Sequence, residues 1–251
     1  MKVRIDQLLA ERGLAESRTR GQALILAGLV FVGTRKVAKA GELVADDAEV
    51  MVKGRDHPWV SRGGVKLAHG LAHFASFDKG WDVMGMTAID VGSSTGGFTD
   101  VLLTGGAARV YAVDSGTNQL AWKLRQDSRV VVLEQLSARL LTAEHIPEAV
   151  DMIVCDASFI GLAKVLAVPM GFAKPRARLL ALIKPQFEVG KGEVGKGGVV
   201  RDPVLHARVC AEVSDWVAGL DGWRVTGVEP SPITGPEGNV EFLIGAARGL
   251  S

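Results

Sequence analysis

The chain has 251 residues, with 29 Lys and Arg against 28 Asp and Glu, and 47% of its residues are hydrophobic. This length fits one large domain, or one domain with a small appendage, and either arrangement can bury a core. The first 66 residues hold 12 Lys and Arg against 8 Asp and Glu, a net charge of +4, and the remaining residues carry −3. The basic part of the chain is therefore its N-terminal part.

Cysteine count and hydropathy exclude several protein classes. Cys155 and Cys210 stand far apart in apolar segments, so they form neither a metal-ligand spacing nor a disulfide framework. The longest apolar run, residues 23–32, is well short of the ~18–20 residues that span a membrane, and no signal-peptide hydrophobic region follows Met1. We expect a soluble cytoplasmic protein without a metal or a membrane segment.

Residues 1–55 are expected to form a small α+β domain. Ile5, Leu8 and Leu9 predict a short helix that ends near Gly13, and Ser17 is a capping residue for a second helix. Three short extended runs follow at residues 29–32, 36–38 and 49–52. Residues 56–62 lie in a polar, turn-rich stretch, which predicts a linker before a second domain at 63–251.

The motifs at residues 4–9, 17–20 and 26–30 resemble those of an S4 domain, a small RNA-binding fold. The resemblance implies that basic side chains of this block and of the linker contact RNA: Arg4, Arg18, Arg20, Arg35, Lys36 and Arg62. A net charge of +4 is modest for an RNA-binding surface, so a structural appendage with an ordinary basic face stays open as the alternative.

From Trp81 onward, strand and helix patterns alternate. Seven strands are predicted, at residues 87–91, 109–113, 130–133, 151–155, 179–183, 224–228 and 240–245. Helices are predicted at residues 98–104, 119–126, 161–173 and 204–220. This order predicts a Rossmann-like α/β domain with a largely parallel sheet, in which ligands bind beyond the carboxyl ends of the strands.

A glycine-rich turn joins the first predicted strand to its helix. It contains the candidate cofactor-binding residues Asp90, Gly92, Ser93, Ser94, Thr95, Gly96, Gly97 and Phe98. Asp114 ends the next strand, where a carboxylate can accept hydrogen bonds from both hydroxyls of a ribose. Three residues separate Gly92 from Gly96, which departs from the dinucleotide fingerprint and favours a nucleoside with a short charged tail. Glu134 and Gln135 end the third strand and are further candidates for cofactor contact.

Charged residues also stand at other strand ends. Asp156 and Lys184 follow predicted strands, Glu241 enters the last one, and Lys66 precedes the sheet. Each one alone could be a solvated turn residue. A second glycine loop, residues 190–197, lacks the Ser or Thr of a phosphate-binding loop, so we expect a mobile cationic loop that covers the substrate. His69 and His73 are spaced for one helix face, but no third metal ligand is evident from the sequence.

Six motifs together resemble the TlyA (haemolysin A) family, at residues 61–67, 90–100, 114–120, 156–160, 184–188 and 231–241. With the S4-like block, the resemblance covers nearly the whole chain. It implies a methyltransferase domain similar to the FtsJ/RrmJ enzymes, which uses S-adenosylmethionine to methylate the 2′-hydroxyl of cytidines in ribosomal RNA. It also implies a catalytic tetrad formed by Lys66, Asp156, Lys184 and Glu241, with Asp156 also near the cofactor.

The chemistry implied by this resemblance needs alignment and removal of a hydroxyl proton rather than a metal. Lysine is protonated at neutral pH, so Lys184 as a base requires help from nearby positive charge and partial burial. Three alternatives stay open. They are an RNA-binding or ribosome-assembly protein with a vestigial cofactor site, a base methyltransferase, and a membrane-lytic protein such as the haemolysin name suggests.

Overall fold

The computed structural model describes residues 2–15, 17–53, 57–235 and 237–249. The N-terminal block contains two helices and five short strands, in the order β1 Lys2–Arg4, α1 Ile5–Glu11, α2 Arg18–Leu26, β2 Val30–Val32, β3 Arg35–Lys36, β4 Leu43–Ala45 and β5 Val50–Val52. Ser17 caps α2, as predicted, by accepting the backbone N–H of Arg20. The sequence patterns missed β1 and β4, which pair with each other in a separate antiparallel ribbon.

The second part of the chain contains the remaining elements. They are α3 Gly63–Ala75, β6 Thr87–Val91, α4 Gly97–Thr104, β7 Arg109–Val113, α5 Trp122–Arg125, β8 Val130–Leu133, β9 Val150–Cys155, α6 Leu162–Leu166, β10 Ala173–Ile183, α7 Pro185–Glu188, α8 Pro203–Ala218, β11 Trp223–Pro230 and β12 Phe242–Arg248. The predicted domain boundary falls on residues 54–56, which lie outside the described residues. None of the helices in the described ranges is long and apolar enough to cross a bilayer.

The central sheet has seven strands in the order β11-β12-β10-β9-β6-β7-β8, which confirms the expected seven-stranded α/β fold. The strands from β10 to β8 are parallel, whereas β12 is antiparallel to both β10 and β11. The chain runs outward from β6 through β7 to β8 and then returns to β9 on the other side of β6. The carboxyl ends of β6 and β9 therefore meet at the point where the strand order reverses.

Both faces of this sheet are buried, because alternate residues of each strand pack into opposite layers. In β9, Ile153 packs in the layer that contains α6 and α8, whereas Met152 packs in the layer that contains α3 and α4. The N-terminal block has its own smaller core, which includes Ile5, Leu9 and Ile25.

Two predicted helices are shorter than their patterns suggested. The helix expected at residues 119–126 is reduced to α5 because the backbone N–H groups of residues 118–120 donate to the Glu134 carboxylate instead of to helical carbonyls. The helix expected at residues 161–173 divides into α6 and a 3₁₀ turn at Pro169–Phe172. Pro169 has no N–H to continue a helix.

The N-terminal block touches the sheet domain through Gly13. A side chain at Gly13 would come within 2.8 Å of the Ala121 Cβ and 3.2 Å of the Val60 Cβ, and the residue has a φ of +63°. Val60 in turn donates its N–H to the Asp100 carboxylate of α4, and Ala121 donates its N–H to the carbonyl of Thr95. The contact therefore lies directly behind the glycine-rich turn.

Candidate functional site

The glycine-rich turn follows β6 at the point where the strand order reverses. Gly92 and Gly96 have positive φ values of 77° and 92°, which a side chain tolerates poorly. A Cβ at Gly92 would also lie 2.7 Å from the Ala157 Cα, and one at Gly97 would clash with the Ser61 hydroxyl. The turn is therefore held closely between the segment after β9 and the start of α3.

Asp114 directly follows β7 and braces the same turn. Its Oδ2 accepts the backbone N–H of Ser94 at 2.8 Å, and its Oδ1 accepts that of Gly116 at 2.7 Å. A carboxylate offers about four acceptor sites, so two remain for other donors. Asp114 faces a cavity of about 620 Å³ whose apolar wall includes Leu136, Ala138 and Ile160.

A second cavity of about 530 Å³ adjoins the first along Gly92, Ser94 and Asp156. All four residues of the predicted tetrad line it, although they come from distant parts of the sequence: Lys66, Asp156, Lys184 and Glu241. Unpartnered polar atoms also occur in residues that line this cavity, namely the hydroxyl of Ser93 and the side-chain oxygen of Gln186. Buried polar groups are normally hydrogen-bonded, so these atoms fit a polar ligand.

Lys184 is fixed beside the turn by one ion pair and two hydrogen bonds. Its Nζ lies 2.7 Å from Asp156 Oδ1, and it donates to the Asp156 carbonyl at 3.0 Å and to the Ser158 hydroxyl at 2.8 Å. The side chain of Lys184 is 8% exposed and that of Asp156 is 21% exposed. One amine is therefore held at a defined point of the cavity wall, with a single carboxylate as its counter-charge.

Lys66 and Glu241 form the other ion pair of the tetrad. Lys66 lies on the first turns of α3 and Glu241 just before β12, and Lys66 Nζ donates to Glu241 Oε2 at 2.5 Å. Both side chains are almost completely buried. Removing one partner of such a pair leaves an uncompensated buried charge, at a cost of about 3–5 kcal/mol. Variants at either position therefore test stability as well as catalysis.

Glu134 and Gln135 directly follow β8, at the strand end that the sequence predicted, but neither lines the two cavities. The carboxylate of Glu134 accepts three backbone N–H groups of residues 118–120 and pairs with Arg125 at 2.8 Å. Burial works against its charge, but Arg125 and these donors outweigh burial and hold the pKa of Glu134 below its usual range. Glu134 therefore shapes the loop before α5, and the cavity beside Asp114 is lined by Leu136 and Ser137 instead.

Asp90, another predicted cofactor residue, lies beneath the turn and lines neither cavity. Its Oδ2 accepts both the backbone N–H of Thr99 at 3.0 Å and the Thr99 hydroxyl at 2.7 Å, so it anchors the start of α4. Its Oδ1 has no hydrogen-bond partner among the described residues. Burial raises the pKa of Asp90 to about 7.

The raised pKa of Asp90 predicts a pH-dependent stability. The folded chain keeps this proton up to about pH 7, whereas an unfolded aspartate releases it near pH ~3.9. Between these values the folded state binds more protons, so the free energy of unfolding falls as pH rises. Asp90→Asn cannot ionise, so we expect its stability relative to wild type to rise by up to about 4 kcal/mol between pH 4 and 8.

Urea denaturation of Asp90→Asn at a series of pH values measures this difference, with Asp221→Asn at an exposed position as the control. A stability difference that does not change with pH would contradict the assignment.

Among the basic residues of the N-terminal block, three are engaged in ion pairs. Asp6 is fully buried, and Arg4 and Arg18 both reach its Oδ2 at 3.0 Å. The hydrogen bond from Arg4, with smaller contributions from Gln22 and Arg18, holds the pKa of Asp6 well below its usual range. Arg35 pairs with Glu42 at 2.5 Å. Arg20 and Lys36 are exposed and form no ion pair within the described part of the chain.

Arg62 borders the catalytic cavity, and its guanidinium donates to the Thr234 carbonyl at 2.9 Å. The predicted cationic glycine loop also reaches this cavity, through Gly197 and Gly198. The loop is anchored at Glu193, which pairs with Arg208 of α8 at 2.7 Å.

The sequence patterns missed several residues that line the catalytic cavity. Phe159 is 90% exposed and has a positive φ of 66°, and its ring lies 5.1 Å from that of Phe187. Ser158 accepts a hydrogen bond from Lys184, and Glu237 also lines the cavity. Residues 156–160 form one of the sequence motifs, but the pattern does not distinguish an exposed Phe159 from a core residue, because the positive φ of Phe159 is not visible in the sequence.

Comparison with known proteins bears on this architecture. Residues 59–248 match the family of FtsJ-like methyltransferases, and residues 3–50 match the S4 domain. The chain is 48% identical over 244 residues to the 16S/23S rRNA (cytidine-2′-O)-methyltransferase TlyA of Mycobacterium tuberculosis, covering 97% of this chain and 89% of that protein. The chain belongs to the TlyA family.

Two further similarities agree with the assignment of the chain to the TlyA family. It is 37% identical to Hemolysin A of Brachyspira hyodysenteriae, covering 96% of this chain and 98% of the relative. A solved structure of a candidate hemolysin from Streptococcus thermophilus superposes with a TM-score of 0.73 at 39% identity, covering 100% of this chain and 90% of that one. The S4 and methyltransferase parts thus occur together in its relatives.

Proposed function

We propose that the chain is an S-adenosylmethionine-dependent methyltransferase that modifies the 2′-hydroxyl of cytidine ribose in ribosomal RNA. The single observation that carries this proposal is the assembly of Lys66, Asp156, Lys184 and Glu241 around one cavity beside the glycine-rich turn. The names of the relatives support the nucleotide and the RNA class. Because ribosomal subunits are then the substrate, we place the enzyme in the cytoplasm.

The residues of the two cavities fit S-adenosylmethionine. The turn from Gly92 to Gly97 would hold the methionine part, with the free hydroxyl of Ser93 as a polar contact, and Asp114 would accept the ribose hydroxyls. Leu136 and Ala138 offer an apolar wall for the adenine. When bound, this cofactor supplies an activated methyl group on a positively charged sulfur.

The chain's own residues then align the ribose and accept its proton. Ser158 and the Asp156 carbonyl fix the Nζ of Lys184, so the amine faces a defined point of the cavity. In its neutral form, the amine of Lys184 can accept a hydroxyl proton as a general base. The buried Lys66–Glu241 pair forms the opposite wall and keeps the cavity close to neutral overall.

The proposal is tested by incubating separated ribosomal subunits with radiolabelled S-adenosylmethionine and identifying the methylated nucleoside by mass spectrometry. A 2′-O-methylcytidine product supports it. Methyl transfer to a base carbon or nitrogen would contradict it. Titration calorimetry with S-adenosylmethionine separates the enzyme from a binding protein with a vestigial site, because a vestigial site does not bind the cofactor.

Within this proposal, residues 1–55 bind RNA, 56–62 link the domains and 63–251 catalyse. The ion pairs in the N-terminal block indicate which cations are free to meet phosphate. Arg20 and Lys36 have no acidic partner in the described ranges, whereas Arg4 and Arg18 also neutralise buried Asp6. Arg20 and Lys36 are therefore the better probes of RNA binding, because replacing them leaves no buried carboxylate without its ion-pair partner.

We expect Arg20→Gln combined with Lys36→Gln to weaken binding to ribosomal subunits and to reduce the slope of log K against log salt by up to about two. Filter binding at several salt concentrations measures the slope. The control is Lys79→Gln combined with Arg224→Gln, which removes the same charge at exposed positions of the sheet domain. Equal slopes for the two double variants would make the S4 block a passive appendage.

A further inference from the structure

We propose that Glu237 selects the target base, by accepting a hydrogen bond from the exocyclic amino group of a cytosine seated in the catalytic cavity. This inference rests on the function proposed above and adds to it a residue that reads the base. It follows from the position of Glu237, from its charge and from the aromatic rings in the same cavity.

Glu237 lies near the tip of a turn whose ends are tightly held. Gly235 donates its N–H to the Asn239 carbonyl at 2.9 Å, and Gly238 donates to the Gly235 carbonyl at 2.9 Å. The buried amide of Asn239 ties the turn to the glycine loop, by accepting from Val200 N–H at 3.0 Å and donating to the Gly198 carbonyl at 3.0 Å. Glu237 is therefore presented from a defined position.

The same turn is continuous with the catalytic machinery. Glu241 follows it directly, and a side chain at Gly235 would lie 2.7 Å from Glu241 Oε1. On the other side of the turn, the Thr234 carbonyl accepts a hydrogen bond from the guanidinium of Arg62, which precedes α3. A base contacted by Glu237 would thus be attached to a ribose close to the tetrad.

The charge of Glu237 is the unusual feature. The other two carboxylates that line the cavity are neutralised, because Asp156 pairs with Lys184 and Glu241 pairs with Lys66. Glu237 has no hydrogen bond or ion pair with any residue in the described ranges. An exposed, unpaired carboxylate repels the phosphates of RNA, so RNA binding at this cavity is favoured where Glu237 meets a hydrogen-bond donor.

The amino group of cytosine is such a donor. Glu and Asp accept from the N4 amino group of cytosine, whereas uracil presents a carbonyl oxygen at the equivalent position. A carboxylate that faces this edge of the base attracts the amino group of cytosine and repels the carbonyl oxygen of uracil, so both interactions favour cytosine. Glu237 would therefore favour cytidine over uridine.

The aromatic rings of Phe159 and Phe187 provide a place for the base. Both line the cavity that Glu237 borders, and the exposed ring of Phe159 is held there by a backbone with positive φ. Proteins that recognise unpaired RNA bases stack them on aromatic side chains and read their edges by hydrogen bonds. Stacking tolerates every base, so the choice between bases is left to a polar group such as Glu237.

The test compares initial rates of 2′-O-methylation on ribosomal subunits that carry the mapped target cytidine and on matched subunits that carry uridine there. We expect the wild type to prefer cytidine by roughly 10- to 100-fold. In Glu237→Gln the amide can turn its NH₂ toward the uracil oxygen, so the preference should fall below about 3-fold. Glu144→Gln, at an exposed site between β8 and β9, is the matched control and should keep the wild-type preference.

A wild-type preference retained in both Glu237→Gln and Glu237→Ala would overturn the inference while the proposed function stands. Equal rates of the wild type on cytidine and uridine would overturn it in the same way. A wild type that forms no 2′-O-methyl nucleoside on either substrate would overturn the proposed function, and the inference with it.

Discussion

Replacing Lys184 by Met should reduce methyl transfer by ~10²–10⁴-fold, the effect of losing a general base. Methionine keeps the apolar stem of the side chain and removes only the amine that Asp156 and Ser158 position. Lys184→Arg should not restore the rate, because a guanidinium remains protonated and cannot accept a proton. Single-turnover rates on ribosomal subunits with saturating cofactor measure the effect.

Two readouts separate catalysis from folding in this experiment. The wild-type rate should rise with pH, as general-base catalysis requires, and this rise should be absent in Lys184→Met. The cofactor affinity should stay close to wild type, and the thermal midpoint measures the cost of leaving the buried Oδ1 of Asp156 without its ion-pair partner. More than about a tenth of the wild-type rate in Lys184→Met would mean that Lys184 only positions the substrate.

Replacing Asp114 by Ala should weaken S-adenosylmethionine binding by about 10- to 100-fold. The substitution removes the acceptor for two ribose hydroxyls, worth roughly 1.5–3 kcal/mol for charge-assisted hydrogen bonds. It also frees the backbone N–H groups of Ser94 and Gly116, so the turn itself loses a brace. Calorimetric titration measures the affinity.

Asp114→Asn divides these two contributions. The amide oxygen still accepts one backbone N–H, but the negative charge is gone, so we expect an affinity between those of the wild type and Asp114→Ala. Asp47→Ala, at an exposed position in the N-terminal block, is the control. Wild-type affinity in Asp114→Ala would remove Asp114 from the cofactor site.

Much of the fold could be predicted because its signals are local. The strands β6, β7 and β8 coincide with the predicted runs, since each is a short apolar segment bounded by turn residues. The missed strands β1 and β4 have three residues each and pair across a long separation, so no periodicity marks them. β3 has only two residues and shares one of them with the run predicted at 36–38, because so short a strand depends on tertiary pairing more than on propensity.

The candidate site was predictable only in part, for a similar reason. Strand-end charges such as Asp156 and Lys184 stand out in the sequence because a buried run precedes them. The carboxylate of Glu134 accepts hydrogen bonds from three backbone N–H groups of a neighbouring loop. This contact depends on the tertiary fold, so the sequence pattern did not reveal it. Phe159 was missed because only its positive φ turns an apolar side chain outward.

The position of β12 has a consequence for synthesis of the chain. β12 pairs with β10 on one side and with β11 on the other, yet it is the last of the seven strands to be made. A nascent chain that stops before residue 241 already contains the glycine-rich turn and Lys184, but Lys66 lacks its partner Glu241 and β11 lacks its bridge to the sheet. The catalytic cavity is therefore complete only after the last strand of the sheet has been made and has paired with β10 and β11.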